Sequence, residues 1–372
     1  MLEKDASYSR LRSERILERH PSLVDSYRSI LFDWLSEVSH ECKFHRETYH
    51  LALDFIDRYL AAQSNVSKLQ LQLIGTTCLF LAAKYEEIRP PTVHEFAELT
   101  DGACTPEEII ENEVIILSAI NWEITPITPN SWLNIYMQIL VNLDQDSNND
   151  SAIVLSPHKG NRRPRKTFTK TITTTPIEAD ENSLSQSEFT LASVKNDSFI
   201  MPVQNGILRY NHAIIASVID LALLHIESLR FKTSILVASA FYHFTSDATV
   251  RQCTGYTYKD LAECIAWIEP FVETIEEIRE PLFIASCRGS EPNTTQMHTH
   301  IANASLLDRT ITKIESRKLK TSLKRKACAL DEEVILHTDS EAESIYTTSP
   351  LKSSTTVLLT PPSSTRKSRR LR

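Results

Sequence analysis

Residues 69–87, LQLQLIGTTCLFLAAKYEE, decide the fold. Leu71, Leu73, Ile74, Cys78, Leu79, Phe80, Leu81, Ala82 and Ala83 leave a helix here almost no polar face. A helix that is apolar all round must be enclosed by other helices, so this segment is read as the centre of a bundle. Gly75 inside it costs roughly 1 kcal/mol of helix propensity, which close approach of a neighbouring helix would offset.

The flanking sequence supplies the enclosing helices. From Asp25 to Glu41 the apolar residues Ile30, Leu31, Trp34, Leu35 and Val38 recur at helical spacing, and Tyr49, Ala52, Phe55, Ile56, Tyr59 and Leu60 form a second stripe. Pro90–Pro91 stops the central helix. Thr92 with Glu95 is a capping box that opens a short fourth helix. Thr105–Pro106–Glu107–Glu108 gives an N-cap, a proline at the first helical position and two acids at the positive end of a fifth, which carries Ile109, Val114, Ile116, Leu117 and Ile120. Residues 25–121 therefore read as five helices with the third at the centre. A second set starts at Thr128–Pro129 with 131–140, and continues with 208–227, 231–245, a short piece near 247–253, and 257–279. Its segment Ile235 to Phe244 is again almost wholly apolar. The expectation is an all-α chain of two five-helix bundles in tandem, the second interrupted.

Composition fits this layout. The chain has 372 residues, which suggests about two domains, and its hydrophobic residues, 41% of the total, concentrate in 23–145 and 207–284. The first 20 residues, the stretch 142–206 and everything after 290 are rich in Ser, Thr and charge and read as linker or tail, with 142–206 expected to be disordered. Six glycines in the whole chain suit helices and argue against Gly-rich phosphate loops. Seven scattered cysteines without a C-x-x-C, and no signal peptide, read as reduced thiols of an intracellular protein. No apolar run approaches the roughly 18 residues of a membrane span. The net charge is −8, with Lys and Arg collecting at the extreme C-terminus.

A catalytic constellation is not found. G-x-x-x-x-G-K-[ST], G-x-G-x-x-G and G-x-S-x-G are all missing. His94–Glu95 would begin H-E-x-x-H, but position 98 is Glu, and the twelve histidines show no metal-ligand spacing. His45 is read as structural. Glu86–Glu87 and Glu107–Glu108 fall at helix ends, where acids serve solvation and capping. The sequence thus implies neither an enzyme, a cofactor nor a metal.

Tyr27-Arg28-Ser29-Ile30-Leu31-Phe32-Asp33-Trp34-Leu35 resembles the cyclin-box signature M-R-A-I-L-x-D-W-L, with Tyr27 where the family has Met and Ser29 where it has Ala. His45 to Thr48, Asp54 to Tyr59, Ala82 to Ile88 and Pro90–Pro91 continue the likeness, and Thr100 to Cys104 with Ser131 to Gln138 resemble the E-type members most. The resemblance covers 15–141 and 207–284; the family pattern has no counterpart for 142–206. It implies tandem cyclin boxes, divided as an N-terminal extension 1–20, a first box 21–127, a second box 128–284 interrupted at 142–206, and a regulatory tail 285–372.

The function it implies is that of a regulatory subunit, which binds and activates a cyclin-dependent serine/threonine kinase at the G1/S transition and helps recruit substrates. Lys84 and Glu113 match the family's grip on the kinase, with Tyr85, Leu117 and Trp122 as further contacts. Tyr27, Arg28, Ile30, Leu31, Trp34, Glu37, Leu71 and Gln72 match its docking patch for R-x-L substrates and inhibitors. Leu358-Leu359-Thr360-Pro361-Pro362-Ser363-Ser364 resembles the E-type phosphodegron, in which phosphorylated Thr360 and Ser364 would meet an arginine-rich ubiquitin-ligase receptor. Ser156 and Ser349 each begin an S-P-x-K pattern of the kinases that cyclins activate. Lys324-Arg325-Lys326 and Arg366-Lys367-Ser368-Arg369-Arg370 look like nuclear import signals. The expected location is the nucleus, with cytoplasm and centrosome as further sites; no membrane and no direct nucleic-acid partner is implied. The rival readings are a cyclin-fold scaffold or transcriptional cyclin acting as a binding module, and a helical hydrolase.

Overall fold

The computed structural model describes residues 1–12, 16–146, 206–278 and 298–320, and its regular elements there are all helices. The helices of the first bundle are α2 (Asp25–Glu41), α3 (Arg46–Ala62), α4 (Leu71–Glu86), α5 (Val93–Glu98) and α6 (Pro106–Ala119). Those of the second are α7 (Pro129–Asp146), α8 (Gly206–Leu224), α9 (Thr233–Tyr242), α10 (Asp247–Thr254) and α11 (Tyr258–Glu277). Preceding them, α1 spans Leu2–Arg10. After them, 304–315 is a further helix, α12. These elements lie in one compact unit, Met1–Glu315; of the second unit, Ser316–Arg372, residues 316–320 are described and are helical.

α4 is the centre of the first bundle, packed against α2, α3, α5 and α6, as its all-round apolar character requires. A Cβ on Gly75 would stand 2.8 Å from Leu31 Cδ1, so glycine is what lets α2 approach α4. α9 plays the same part in the second bundle, against α7, α8, α10 and α11. Thr92 with Glu95 and Thr105 with Glu108 form reciprocal capping boxes that start α5 and α6. Thr128 Oγ1 accepts the Ser131 N–H at 3.1 Å and opens α7. Gly255, at φ +76°, closes α10 in the left-handed conformation that favours glycine. Among the described residues the five cysteines are free thiols, four of them buried, and no helix is long and apolar enough to cross a membrane.

The fold departs from the sequence reading in four places. α7 runs to Asp146 rather than stopping near 140, because Val141 and Leu143 prolong its apolar stripe into the core. The first residues are not a bare linker: α1 lies on α9 and buries Tyr8 and Asp5. Asp5 Oδ2 accepts from Ser234 N at 3.1 Å and Ser234 Oγ at 2.6 Å. That places an anion at the positive end of α9. Neither is the chain after 290 free of structure, since residues 298–300 bond to α2 and α3, and α12 buries Leu306, Leu307 and Thr310. Val114, read as a member of the apolar stripe of α6, is 57% exposed.

Gly75→Ala is expected to lower stability by about 1–3 kcal/mol through overpacking, despite its better helix propensity. In urea titrations Leu31→Ala should cost less in the Gly75→Ala chain than in the wild type. Strict additivity of the two changes would mean that Leu31 does not set the α2–α4 distance.

Candidate functional site

The C-terminal turn of α4 and the outer face of α6 form one surface. Lys84 Nζ bonds Glu113 Oε1 across the two helices, with side chains 38% and 19% exposed. The same ammonium lies 4.5 Å from the centre of the Phe80 ring. Around this pair stand apolar side chains with no core to fill: Tyr85 is 49% exposed, Ile88 91%, Ile110 51% and Val114 57%. On α6, Ile110, Glu113 and Val114 share a face by their i, i+3 and i+4 spacing. Past the end of α6, Trp122 is 64% exposed and held at φ +59°, next to Asn121 at φ +55°. A tryptophan in this region is uncommon and costs on the order of 1–3 kcal/mol. Its N–H donates to Leu117 O at 2.8 Å, which fixes the bend. Leu117 itself is in the core, 6% exposed, and supports this surface from beneath.

Sequence reasoning selected Lys84, Tyr85, Glu113 and Trp122 but missed Ile88 and Ile110, and it put Val114 inside. The signal it had was a surplus: α6 carries more apolar residues than one stripe can bury.

Beside this surface is an acidic cluster. Glu87 accepts from His45 N and Nδ1, both at 2.8 Å, and from Thr48 Oγ1 at 2.5 Å. Burial alone would raise the Glu87 carboxyl, but these donors hold it below the ordinary value, and the same bond raises His45. Glu86 has no such donors; burial and then the Glu47 carboxylate push it from 4.5 up to about 7.

The second candidate surface lies on α2. Ile30 and Glu37 are exposed, while Tyr27, Trp34 and Gln72 are half-buried. Leu31 and Leu71, 6% and 7% exposed, underlie them. Arg28 does not belong to this face and is a correction to the sequence reading. It is 3% exposed, its Nε and Nη2 pair with Asp57 at 2.7 and 2.8 Å, and its Nη1 donates to the carbonyls of Leu223 and Leu224. This guanidinium is buried and spent on α3 and the end of α8, away from the surface where a peptide would dock. Ser156, Lys324, Arg325, Lys326, Ser349, Thr360, Ser364, Arg366, Lys367, Arg369 and Arg370 lie outside the described residues. Among the described residues no cluster of His, Cys, Asp or Glu could hold a metal ion.

Comparison with known proteins gives two family matches. The model of the cyclin N-terminal domain matches residues 1–125, and that of the cyclin C-terminal domain matches 203–281. G1/S-specific cyclin-E1 of Danio rerio is 39% identical over 277 residues, 74% of this chain and 54% of the relative. G1/S-specific cyclin-E of Hemicentrotus pulcherrimus is 36% identical over 298 residues, 80% of this chain and 58% of the relative. G1/S-specific cyclin-E1 of Gallus gallus is 36% identical over 310 residues, 83% and 62% of the two chains. The chain thus spans 54–62% of the length of these relatives.

The raised Glu86 gives a signed pH effect. A carboxyl whose folded pKa exceeds its unfolded one binds its proton more tightly in the native state, so it removes stability as pH climbs from 4.5 to about 7. Glu86→Gln should therefore flatten the fall in melting temperature across that window and melt higher than wild type at pH 8. A parallel fall in both proteins would place Glu86 in an unperturbed setting.

Proposed function

The chain belongs to the cyclin family, and from that premise we propose that it is the regulatory subunit of a cyclin-dependent serine/threonine kinase acting at the G1/S transition, supplying no chemistry of its own. The observation that carries this reading is the row of exposed apolar side chains, Tyr85, Ile88, Ile110 and Val114, arranged around the Lys84–Glu113 pair.

Lys84 and Glu113 would exchange each other for backbone groups of the kinase: an ammonium supplies donors and a carboxylate acceptors, so the two serve both ends of one segment. The exchange is cheap, because a half-exposed ion pair contributes at most about 1 kcal/mol. Burying the half-exposed Tyr85, Ile110 and Val114 contributes roughly 1 kcal/mol each and the almost fully exposed Ile88 roughly 2 kcal/mol, and Trp122 adds an aromatic anchor. Turning a 1:99 mixture of active and inactive kinase into 99:1 takes ~5.5 kcal/mol of preference for the active arrangement, so only contacts made better in that arrangement count toward it. The mechanism is a population shift toward the arrangement in which the kinase's Lys–Glu pair and Mg²⁺-binding Asp are seated.

The α2 surface would dock R-x-L substrates and inhibitors through Tyr27, Ile30, Trp34, Glu37 and Gln72 above Leu31 and Leu71. Phosphorylated Thr360 and Ser364 in the tail would recruit a ubiquitin ligase, the bound kinase would modify Ser156 in the 142–206 interruption and Ser349 in the tail, and the Lys324–Lys326 and Arg366–Arg370 clusters would direct the chain to the nucleus. The domain division is 21–127 and 128–284, flanked by the extension 1–20 and the tail 285–372.

A purified cell-cycle kinase assayed on histone H1 tests the main claim. The wild-type chain should stimulate it strongly. A Lys84→Ala, Glu113→Ala double variant with unchanged melting temperature should lose at least about tenfold of that stimulation, since interface charge truncations cost 2 kcal/mol or more. No stimulation by the wild type on a kinase with its activation loop phosphorylated would overturn the reading. Separately, Thr360→Ala should lengthen the protein's half-life in dividing cells; an unchanged half-life would remove the degron.

A further inference from the structure

The segment 298–300 is fastened to α2 and α3 by a dense set of contacts that the activity above does not use. His298 N donates to Phe44 O at 2.9 Å, and its Nε2 meets Ser36 Oγ at 2.7 Å. Its ring lies 4.2 Å from that of Tyr49, and its carbonyl faces His40 Nδ1 at 3.4 Å. Arg46 Nη2 donates to Thr299 Oγ1 at 3.0 Å. His300 Nε2 bonds Asp33 Oδ1 at 2.7 Å. This strap therefore ends with an imidazole placed on an acidic turn of α2.

The position matters because of where Asp33 stands. Asp33 and Glu37 are one turn apart on α2, so both carboxylates project along the same stripe. Glu37 also lies three residues beyond Trp34, at the edge of the apolar row Tyr27, Ile30 and Trp34. It is thus shared by two faces, one carrying the strap and the other the docking surface. The charged and titratable groups around His300 are Asp33 and Glu37 on α2 and His298 on its own segment, with Arg46 of α3 and His40 of α2 at the neighbouring strap residues. Asp33 and Glu37 both favour the imidazolium, whereas buried His298 is held neutral.

We propose that His300 is a specificity-determining residue of the α2 docking surface: its cation partly neutralises the Asp33–Glu37 pair and so weakens the hold of Glu37 on a basic peptide residue. The proposal rests on the docking reading of α2. A cationic peptide side chain must share the acidic turn with the imidazolium already there. When the imidazole loses its proton, Asp33 and Glu37 act together on the incoming cation. Affinity for basic peptides therefore rises with pH through the titration of His300, while peptides lacking the cation do not respond. Because the strap follows the second bundle in the chain yet binds the first, it supplies charge control that the first bundle lacks by itself.

The test uses the full chain and a synthetic fluorescent peptide carrying Arg-x-Leu, with binding followed by anisotropy at pH 6 and pH 9. Wild type should bind about threefold to tenfold more tightly at pH 9, the size expected for one charge several ångströms away in a partly solvated site. His300→Gln, which keeps a hydrogen-bond donor for Asp33, should bind tightly at both pH values. Asp33→Asn removes the carboxylate that holds the proton, so its affinity change should shift to lower pH. Equal pH dependence in wild type and His300→Gln overturns the proposal, as does weaker binding by His300→Gln. Glu37→Gln separates the two claims. If it weakens binding while His300→Gln changes nothing, the docking surface stands and the role of His300 falls. If Glu37→Gln leaves binding unchanged, the docking reading fails and this proposal with it.

Discussion

Asp220, a carboxylate buried to 2% exposure between the two bundles, is the constraint on which the rest of the molecule depends. Burial alone would drive it to accept a proton, yet the Arg46 guanidinium and the His50 hydrogen bond hold it below its ordinary value, so it stays charged. His50 Nε2 reaches it at 2.8 Å and Arg46 Nε at 3.5 Å, both from α3. Without its partners a buried charge costs several kcal/mol. α8 therefore sits on α3 in one register. Arg28 repeats the device one helix away, joining Asp57 of α3 to the last carbonyls of α8. Two bundles that hydrophobic packing alone would let slide are pinned by directional bonds.

That pinning explains the surfaces. With both bundles filled around α4 and α9, the apolar side chains left outside are not material for an unfinished core. Tyr85, Ile110 and Val114 face solvent on helices whose other sides are packed, Ile88 does so just past the end of α4, and Trp122 keeps an unfavourable backbone angle that only a rigid setting sustains. A platform of this kind has already met the ordering cost that an interface would otherwise impose, so more of its contact energy is available to shift a partner's equilibrium.

The sequence disclosed those parts of the fold whose cause is local. The all-round apolar runs at 71–83 and 235–244 named the two central helices, and capping boxes at Thr92 and Thr105 located helix starts within a residue of where they fall. Lys84 and Glu113 were legible as a pair only through the family motif around them, since nothing in the spacing of a lysine and a glutamate 29 residues apart predicts their bond. Arg28 was misplaced for the converse reason: the motif carrying the docking residues also carries an arginine whose partners, Asp57 and the end of α8, are remote in sequence. Val114 was read as core because a stripe shows which residues are apolar but not how wide a face the neighbours cover. The strap was invisible, as it binds through His298, Thr299 and His300, residues that read as tail when their partners on and between α2 and α3 are unknown.

The terminal segments change how the tandem repeat is to be understood. Asp5 supplies the negative charge at the start of α9, and Arg58 stacks its guanidinium 5.0 Å from the centre of Tyr8, so α1 bridges the second bundle to α3 of the first. From the other end, Thr310 Oγ1 bonds Thr274 of α11 at 3.0 Å while residues 298–300 hold α2 and α3. Each extension thus touches both bundles and meets polar groups that would otherwise be buried without partners. The Ser, Thr, His and charged residues that make these stretches look like linkers are what such a role requires, because an apolar strap would have no means of satisfying Ser234, Ser36 or Asp33. The unit that presents the Lys84–Glu113 surface and the α2 surface is therefore the pair of bundles together with both clasps, rather than either bundle taken singly.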